Sequence, residues 1–462
     1  MPLFPTTAEE FYALRDDRTN QYPCAPGYAL KSVRVTADER TLETPSGQIL
    51  LIASCNMLSR WCRTVYLKVR DVVVHPHLGL DHGTLLGTIL DQMQDADPFG
   101  KFEAAHGSMP MTDLHLHIGD KCIDGDMSTT VLSCANWQAA VCRPREAGLK
   151  FDESTNCIGA LFATAFGAAR LFRDAIGMGL FLSDHFVFDG LLLRPVTAEE
   201  PGASQQFPTN LDLGNILMVG AGSVGGSAAY CMRLLGLHCG LTVVDADMVD
   251  IINFNRSPIL GKRHFQFNKA RSLSTFLAGS SLAARSHECW WEQYAREEAQ
   301  ALAEFDIWLP LANEFDVRPN MAHQVPPLMI QASTNRNWGV NFGRHIPGRD
   351  DCLAERFAGF IPESKLRCAS GEVEDVSGKK TDAALPFLSF FAGLLIAIDL
   401  IRLKLPGYPQ VSNFGLFDFG GEEFQPLIVD RKPSTTCFCQ SPAQRLSFQH
   451  LRRQGRYYTL AP

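Results

Sequence analysis

The sequence has no excess of basic residues, and this limits the kinds of ligand that the protein can bind. Its 462 residues contain 42 Lys and Arg against 50 Asp and Glu, a formal net charge of −8. A nucleic-acid-binding protein needs a basic surface to contact phosphate backbones. We therefore expect no nucleic-acid partner.

Long hydrophobic runs are also scarce. Ile158–Ala169 is too short to span a bilayer, and Ala384–Ile401 contains Pro386 and Asp399. The N-terminal residues show no basic segment followed by an apolar stretch, so no secretory signal is expected. The 14 cysteines lack the regular spacing of a disulfide framework. These absences favour a cytoplasmic protein with free thiols and no membrane partner.

What the sequence does contain is a strand, glycine-rich turn and helix pattern near its middle. The apolar run Asn215–Val219 leads directly into a G-x-G-x-x-G spacing. Glycines at this spacing let backbone amides approach a phosphate at a helix N-terminus. The candidate phosphate-binding residues are Gly220, Gly222, Ser223 and Gly225.

Polar residues after this turn decide between two kinds of nucleotide enzyme. Asp245 and Asp247 end the next apolar run, where a carboxylate can accept a hydrogen bond from a ribose. Asn253, Arg256 and Lys269 follow. A nicotinamide-dependent oxidoreductase does not need this last series. An enzyme that holds a triphosphate does, because about four negative charges must be stabilised.

This order of residues resembles the ThiF/MoeB superfamily, the adenylating enzymes that include the activators of ubiquitin and ubiquitin-like proteins. The resemblance implies ATP and Mg²⁺ as cofactors, with the glycine turn on the phosphates. It also implies that Asp245 holds the ribose, with Asp247 beside it in the cofactor site. The residues implied to line the α-phosphate are Asn253, Arg256 and Lys269.

The superfamily often pairs an active adenylation domain with an inactive one. We expect an α/β protein whose two Rossmann-like adenylation-type domains form a pseudo-dimer. The long helices Asn156–Ile176 and Pro386–Lys404, both rich in small residues, are predicted counterparts. The first half has strand-like runs such as Gln48–Ala53, but no G-x-G-x-x-G. The predicted parts are an inactive domain at 1–195, a linker at 196–210 and an active domain at 211–462.

Two further site predictions follow from the resemblance. In relatives the inactive partner lends an arginine to the triphosphate, and Arg60 and Arg63 are the candidates here, with surface or interface salt bridges as their alternative role. Asn313 stands where relatives carry the aspartate that binds Mg²⁺. Glu314, Asp316, or ATP and water alone can then hold the metal, and we expect Glu314.

Cysteines raise the question of zinc. Relatives bind structural zinc through two C-x-x-C pairs. Here Cys352 remains of the first pair, and the second is compressed to Cys437 and Cys439. A tetrahedral zinc site needs four ligands, so these three cysteines leave it one ligand short.

Cys368 is the predicted nucleophile. In relatives a cysteine in the crossover segment, here about 345–382, attacks the acyl-adenylate to form a thioester. Lys365 and Arg367 flank Cys368 and favour its thiolate. The alternative is an unreactive surface cysteine.

The function implied by the resemblance is ATP-dependent activation of a ubiquitin-like protein with a C-terminal glycine, followed by transfer to a conjugating enzyme. The arrangement looks most like the activating components of bacterial ubiquitin-like conjugation operons with antiphage roles. The alternatives are a sulfur-carrier-protein adenylyltransferase of the thiamine or molybdopterin type, an NAD-dependent oxidoreductase, and a pseudoenzyme scaffold, which only Asn313 supports. Association of two chains into a homodimer is also left open.

Overall fold

Two α/β domains follow one another along the chain. The computed structural model describes residues 3–20, 27–78, 83–105, 107, 110–121, 128–144, 146–179, 181–197, 200, 202–203, 205–208, 211–314, 316–324, 326–335, 337–356, 372–374, 380–382, 385–405, 412–443 and 446. Each domain contains one eight-stranded sheet in the described part of the chain. The predicted fold class, two α/β domains in one chain, is confirmed.

The first domain is built on strands β1 to β8 and helices α1 to α4. Its strands are β1 (Ser32–Ala37), β2 (Thr64–Lys68), β3 (Lys101–Ala104), β4 (Leu114–Ile118), β5 (Thr129–Ala135), β6 (Gln138–Cys142), β7 (His185–Asp189) and β8 (Arg194–Val196). Its helices are α1 (Ala8–Arg15), α2 (Pro45–Ser59), α3 (Leu85–Ala96) and α4 (Ile158–Ile176).

The second domain repeats this plan. Its sheet strands are β9 (Asp212–Val219), β10 (His238–Val244), β11 (Leu282–His287), β12 (Ile307–Pro310), β13 (Met329–Thr334), β14 (Gly339–His345), β17 (Phe414–Asp418) and β18 (Leu427–Val429). A separate hairpin pairs β15 (Glu372–Glu374) with β16 (Lys380–Asp382). The helices are α5 (Ser223–Leu234), α6 (Lys269–Phe276), α7 (Trp291–Glu297), α8 (Val317–His323), α9 (Leu353–Arg356) and α10 (Pro386–Arg402).

The two sheets have the same topology. Their strand orders are β3-β2-β1-β4-β5-β6-β7-β8 and β11-β10-β9-β12-β13-β14-β17-β18. In both, the first five strands in this order pair in parallel and the last three are antiparallel. In the first sheet, β2 and β3 lie on one side of β1, and β4 lies on its other side. In the second sheet, β10 and β11 lie on one side of β9, and β12 lies on its other side. Ligands of open α/β sheets bind at the carboxyl ends of strands beside such a switch point.

One predicted strand is wrong. Gln48–Ala53 lies inside helix α2, which begins at Pro45 after the side-chain cap of Thr44. All 15 residues of α2 are buried. A helix buried on every side shows no amphipathic period, so its apolar run cannot be told from a buried strand by pattern alone.

A continuous apolar core joins the two domains. Helices α4 and α10, predicted as counterparts, pack against each other through Phe162 and Phe391, whose ring centroids are 5.5 Å apart. Their last turns also exchange polar contacts: Arg173 Nη1 donates to the Phe419 carbonyl (2.8 Å), and Arg402 Nη2 donates to that of Leu191. Phe419 follows β17 and Leu191 follows β7, so these contacts are reciprocal.

The described part of the predicted linker packs on the first domain. Trp137 Nε1 donates to the Gln205 carbonyl at 2.6 Å, and the Trp137 ring lies 6.0 Å from that of Phe207. These contacts hold the connection against the β5–β6 hairpin. Among the described residues, no helix combines the length and apolar character of a membrane span.

Candidate nucleotide site and metal centre

The glycine turn, residues 220–225, joins β9 to α5 at the switch point of the second sheet. Gly220 has φ of 104°, and a Cβ there would lie 2.4 Å from the backbone nitrogen of Ala312. A Cβ on Gly225 would lie 2.1 Å from the Gly220 carbonyl oxygen. A Cβ on Gly222 would meet nothing within 4 Å. Gly220 and Gly225 therefore allow the backbone to pack closely, while Gly222, just before α5, faces open space, as an incoming phosphate requires.

Asp245 lies at the end of β10, directly beside this turn. Its Oδ2 accepts the N–H of Ala221 at 2.7 Å, and its Oδ1 accepts that of Asp247 at 2.8 Å. Burial raises the pKa of Asp245 above its ordinary value, against the opposing influence of Lys269 and these two N–H donors. The carboxylate thus fixes the turn, and each oxygen retains a lone pair for a further hydrogen bond.

Lys269 is the first residue of α6 and reaches back to the same strand end. Its Nζ lies 2.7 Å from Asp247 Oδ2, and the Lys269 N–H donates to the Asp247 carbonyl at 2.9 Å. Asn268, which caps α6, donates through Nδ2 to the carbonyls of Asp245 (2.9 Å) and Asp247 (3.2 Å). The predicted site residues at 245, 247 and 269 are therefore brought together.

Asn253 and Arg256 belong to a short buried turn after Asp250. Asn253 Oδ1 accepts the N–H of Asp250 at 2.9 Å, which closes a capping box. Arg256 is 3% exposed, and its Nη1 donates to the Ile252 carbonyl at 2.9 Å. Both side chains stabilise the turn that carries them, so their contact with a nucleotide stays a prediction.

The first domain packs against this turn through its N-terminal helix. Phe11 of α1 lies 6.2 Å from the ring of Phe254, and Asn255 Nδ2 donates to Thr19 Oγ1 at 3.2 Å. Arg18, next to Thr19, has a buried Nη1 without a hydrogen-bond partner in the described structure. Sequence reasoning missed Arg18, although it lies three residues beyond the basic end of a short N-terminal helix.

Arg60 makes contacts that differ from those of a phosphate ligand. It follows α2, and its Nη1 donates to the carbonyls of Phe254 (3.0 Å) and Leu260 (2.5 Å), while Nη2 donates to that of Pro258 (2.9 Å). Burial lowers its pKa to about 10. The guanidinium is engaged with the backbone of the second domain, so Arg60 joins the two domains.

The corresponding crevice of the first domain has a different chemistry. Asp38 directly follows β1, at the position that Gly220 holds after β9, and its Oδ1 lies 3.4 Å from His117 Nε2. A Cβ on Gly47, in the first turn of α2, would lie 2.0 Å from the Thr41 carbonyl oxygen. The carboxylate and the crowded first turn of α2 both disfavour phosphate binding at this crevice. The inactivity of the first domain stays a prediction.

The segment after β12 reaches the glycine turn, because Ala312 contacts Gly220. Glu314 is exposed. Burial lowers the pKa of Arg318 to about 10, and the charge of Glu314 partly opposes this shift. Mg²⁺ is commonly held by one or two carboxylates together with substrate phosphates. That Glu314 is such a ligand stays a prediction. Cys368 lies outside the described residues.

Three buried side chains form a metal-ligand set near the end of β14. One ligand atom from each of His345, Cys352 and Cys439 lies within 4.8 Å of the others, the only such group in the described part of the chain. The Cys439 N–H lies 3.4 Å from Cys437 Sγ, so Cys437, the third of the predicted cysteines, borders the group. The sequence-based prediction of this site included only cysteines and therefore did not include His345.

The local hydrogen bonds suit a bound metal. His345 Nδ1 lies 3.1 Å from the Asp351 carbonyl, so donation there leaves Nε2 with its lone pair. Burial lowers the pKa of His345 to about 4, which keeps the ring neutral. The Cys439 thiol donates to Cys352 and lowers the pKa of that thiol. One imidazole and three sulfurs fit tetrahedral zinc.

Comparison with known proteins decides the family. The ThiF family model matches residues 203–438, just over half of the chain. The chain belongs to the ThiF family. A second model, the BilD N-terminal domain, matches residues 32–180. The BilD N-terminal model lies within the first domain described above, and the ThiF model covers most of the second.

Individual relatives are distant. A stretch of 168 residues is 26% identical to uncharacterized protein y4jF of Sinorhizobium fredii (strain NBRC 101917 / NGR234), and it covers 36% of this chain and 32% of that protein. The chain thus spans about a third of the length of that relative. A crystal structure of E. coli MccB with selenomethionine MccA matches at 16% identity and a TM-score of 0.36, over 49% of this chain and 66% of that one.

Proposed function

We propose that the second domain is an ATP-dependent adenylating site for the C-terminal carboxylate of a small ubiquitin-like protein ending in glycine. The observation that carries the proposal is the convergence of the glycine turn, Asp245 and Lys269 at one switch point. The 253–256 turn closes this end of the sheet. Membership of the ThiF family supports adenylation rather than hydride transfer.

The proposed first step makes an acyl-adenylate. A carboxylate oxygen of the terminal glycine attacks the α-phosphorus of ATP, the bond from that phosphorus to the bridging oxygen breaks, and pyrophosphate leaves. Arg256 and Lys269 stabilise the charge that develops on the phosphates. Glu314 would hold Mg²⁺, and the charge of the metal would neutralise part of the charge of the phosphates.

The proposed second step uses Cys368. Its thiolate attacks the acyl carbon, a C–S bond forms, and AMP leaves with the electron pair of the broken C–O bond. The thioester then passes to the cysteine of a conjugating enzyme. An antiphage conjugation system in bacteria is the setting that the two-domain arrangement supports.

Arg18 is a better candidate than Arg60 for a cation lent by the first domain. The guanidinium of Arg60 donates hydrogen bonds to the carbonyls of Phe254, Pro258 and Leu260. Arg18 stands beside the Thr19–Asn255 contact and keeps a buried N–H group without a partner in the described structure. A triphosphate beside the 253–256 turn supplies the acceptor that this group lacks.

Exchange of labelled pyrophosphate into ATP tests the adenylation step. The purified chain, given Mg²⁺ and a ubiquitin-like protein ending in glycine, should catalyse this exchange. Lys269→Ala or Arg256→Ala should slow it by roughly 100-fold or more. Arg271→Ala, on the exposed side of α6, is the matched control and should exchange normally. Binding of NAD without ATP turnover would instead indicate an oxidoreductase.

The thioester step has its own test. Cys368→Ala should retain pyrophosphate exchange but lose the conjugate that a reducing agent cleaves. Cys289→Ala, which alters a half-buried thiol outside the site, should keep both activities. A reducible conjugate that persists in the Cys368→Ala variant would remove Cys368 from the mechanism.

A further inference from the structure

The two aspartates at the end of β10 are in different surroundings. Asp245 is partly buried, and each of its oxygens accepts a backbone N–H. The side chain of Asp247 is 34% exposed, and its Oδ2 pairs with Lys269 Nζ at 2.7 Å. Lys269 is only 8% exposed. The two carboxylates therefore have separate partners: Asp245 holds the glycine turn, and Asp247 holds a lysine.

The backbone around this ion pair is held in place independently. The Lys269 N–H donates to the Asp247 carbonyl, and Asn268 Nδ2 donates to the carbonyls of Asp245 and Asp247. Met248 and Asn268 form a short antiparallel bridge. The start of α6 is thus attached to the end of β10 by main-chain contacts, which leaves the Asp247–Lys269 pair to set only the direction of the lysine side chain.

The lysine needs such a partner. A cation in the first turn of a helix is disfavoured by the helix dipole, and four rotatable bonds allow the ammonium to turn away. Asp247 takes up one of the three N–H groups of the ammonium and leaves two for a phosphate. Its contact with Lys269 fixes where those two groups point.

We propose that Asp247 is a positioning residue that acts through Lys269, and not a ligand of the ribose. The inference rests on the proposed function. It predicts a particular kinetic pattern. Loss of Asp247 lets the ammonium move, which lowers kcat, while loss of a negative charge near the phosphates does not weaken ATP binding and can strengthen it.

Kinetics of pyrophosphate exchange test this proposal. Asp247→Ala should reduce kcat by about 10-fold or more, since a misplacement of about 1 Å can cost up to ~100-fold. The KM for ATP should stay the same or fall. Asp247→Asn, nearly the same shape, serves if the alanine variant does not fold. Asp113→Ala, which removes an exposed ion pair with Lys31 in the first domain, is the control and should have normal kinetics.

A double-mutant cycle separates action through Lys269 from other roles. In the Lys269→Ala background, Asp247→Ala should cause no further loss of kcat, because the group it positions is gone. Additive losses would overturn the proposal. The ratio of activity with ATP to that with 2′-deoxy-ATP gives a second readout. The proposal predicts that Asp247→Ala leaves this ratio unchanged, and a collapse of the ratio would show a direct ribose contact instead.

Failure of this inference can be told from failure of the proposed function. Wild-type protein that neither binds ATP nor exchanges pyrophosphate overturns both. An active wild type with Asp247 variants indistinguishable from it overturns only the positioning role of Asp247.

Discussion

Gly220 and Gly222 are two residues apart, yet the structure gives them opposite tasks. Gly220 has a positive φ and packs against the backbone of Ala312. Gly222 has φ of −73° and faces open space. The fold requires the first glycine. A phosphate that approaches the N-terminus of α5 requires the second.

Alanine at these two positions should therefore have different effects. Gly220→Ala should lower the free energy of unfolding by about 1–3 kcal/mol, because an L-residue is strained at this φ and its Cβ clashes with backbone. Gly222→Ala should leave stability within ~0.5 kcal/mol of wild type and weaken ATP binding, because the methyl group occupies the phosphate approach. Urea denaturation and ATP titration measure the two effects. Equal loss of stability in both variants would contradict this division.

At the residue scale, the sequence predicts those site residues that belong to a motif. Asp245 is predicted from its distance to the glycines and Lys269 from the resemblance to the ThiF/MoeB superfamily, and the structure places both at the same strand end. Arg18 and His345 were missed, because their neighbours come from distant parts of the chain. Arg60 was noticed for its charge, but only the structure shows the carbonyls that it contacts.

Among the elements, α5 and α10 approach each other unusually closely. A Cβ on Gly393 of α10 would lie 2.4 Å from the backbone nitrogen of Ala228 in α5. Gly167 of α4 is also crowded, but by the flexible methyl ends of Leu132, at 2.6 Å. Side-chain ends can move aside, whereas the backbone of a buried helix cannot.

Alanine substitution should reveal this difference. Gly393→Ala should destabilise the protein by about 1–3 kcal/mol through overpacking. Gly167→Ala should be close to neutral, because a gain of about 1 kcal/mol in helix propensity offsets the movement of Leu132. Chemical denaturation of both variants checks the prediction. A stabilised Gly393→Ala variant would show that α5 and α10 have room to separate.

The end of β14 offers a second test at this scale. We expect the purified chain to carry zinc, held by His345, Cys352, Cys437 and Cys439. His345→Ala should lower the zinc content measured by elemental analysis, and a strong chelator should reduce the melting temperature of wild type more than that of the variant. The His238→Ala variant, which changes an exposed residue at the start of β10, should keep its metal. Full zinc in the His345→Ala variant would exclude His345 as a ligand.

Elements were predictable where a period or a boundary signal exists. The predicted Asn156–Ile176 and Pro386–Lys404 helices correspond closely to α4 and α10, since Gly177 ends the first and Pro386 begins the second. Helix α2 was misread as a strand, because its burial on all sides removes the polar face that marks a helix.

On the scale of the whole molecule, the seam between the domains contains charged groups that a sequence pattern does not reveal. Arg60 is 2% exposed and donates to three carbonyls of the second domain. Arg173 and Arg402 also donate across this boundary, to the carbonyl of Phe419 and to those of Gly190 and Leu191. The two-domain fold could be predicted from the paired small-residue helices, but the partners of these arginines depend on how the domains pack.

Removal of Arg60 should destabilise the seam. Arg60→Ala leaves the carbonyls of Phe254 and Leu260 without this donor, while that of Pro258 keeps the Nδ2 group of Asn56, and the change should cost about 3 kcal/mol or more. Arg70→Ala is the control: Arg70 is exposed and pairs with exposed Glu39 at 3.4 Å, so about 1 kcal/mol or less is expected. Urea denaturation compares the two variants. Similar losses in both would mean that Arg60 does not anchor the second domain.

The shared strand order of the two sheets has an evolutionary consequence. In a dimer of identical chains, every amino-acid change appears twice, so a position required at one crevice is required at both. A single chain removes this restriction, and Asp38 can occupy one crevice while Gly220 is kept in the other. Selection on the first domain should then act mainly on the surface that Arg60 and α1 present to its neighbour, and its own crevice should diverge faster among homologues.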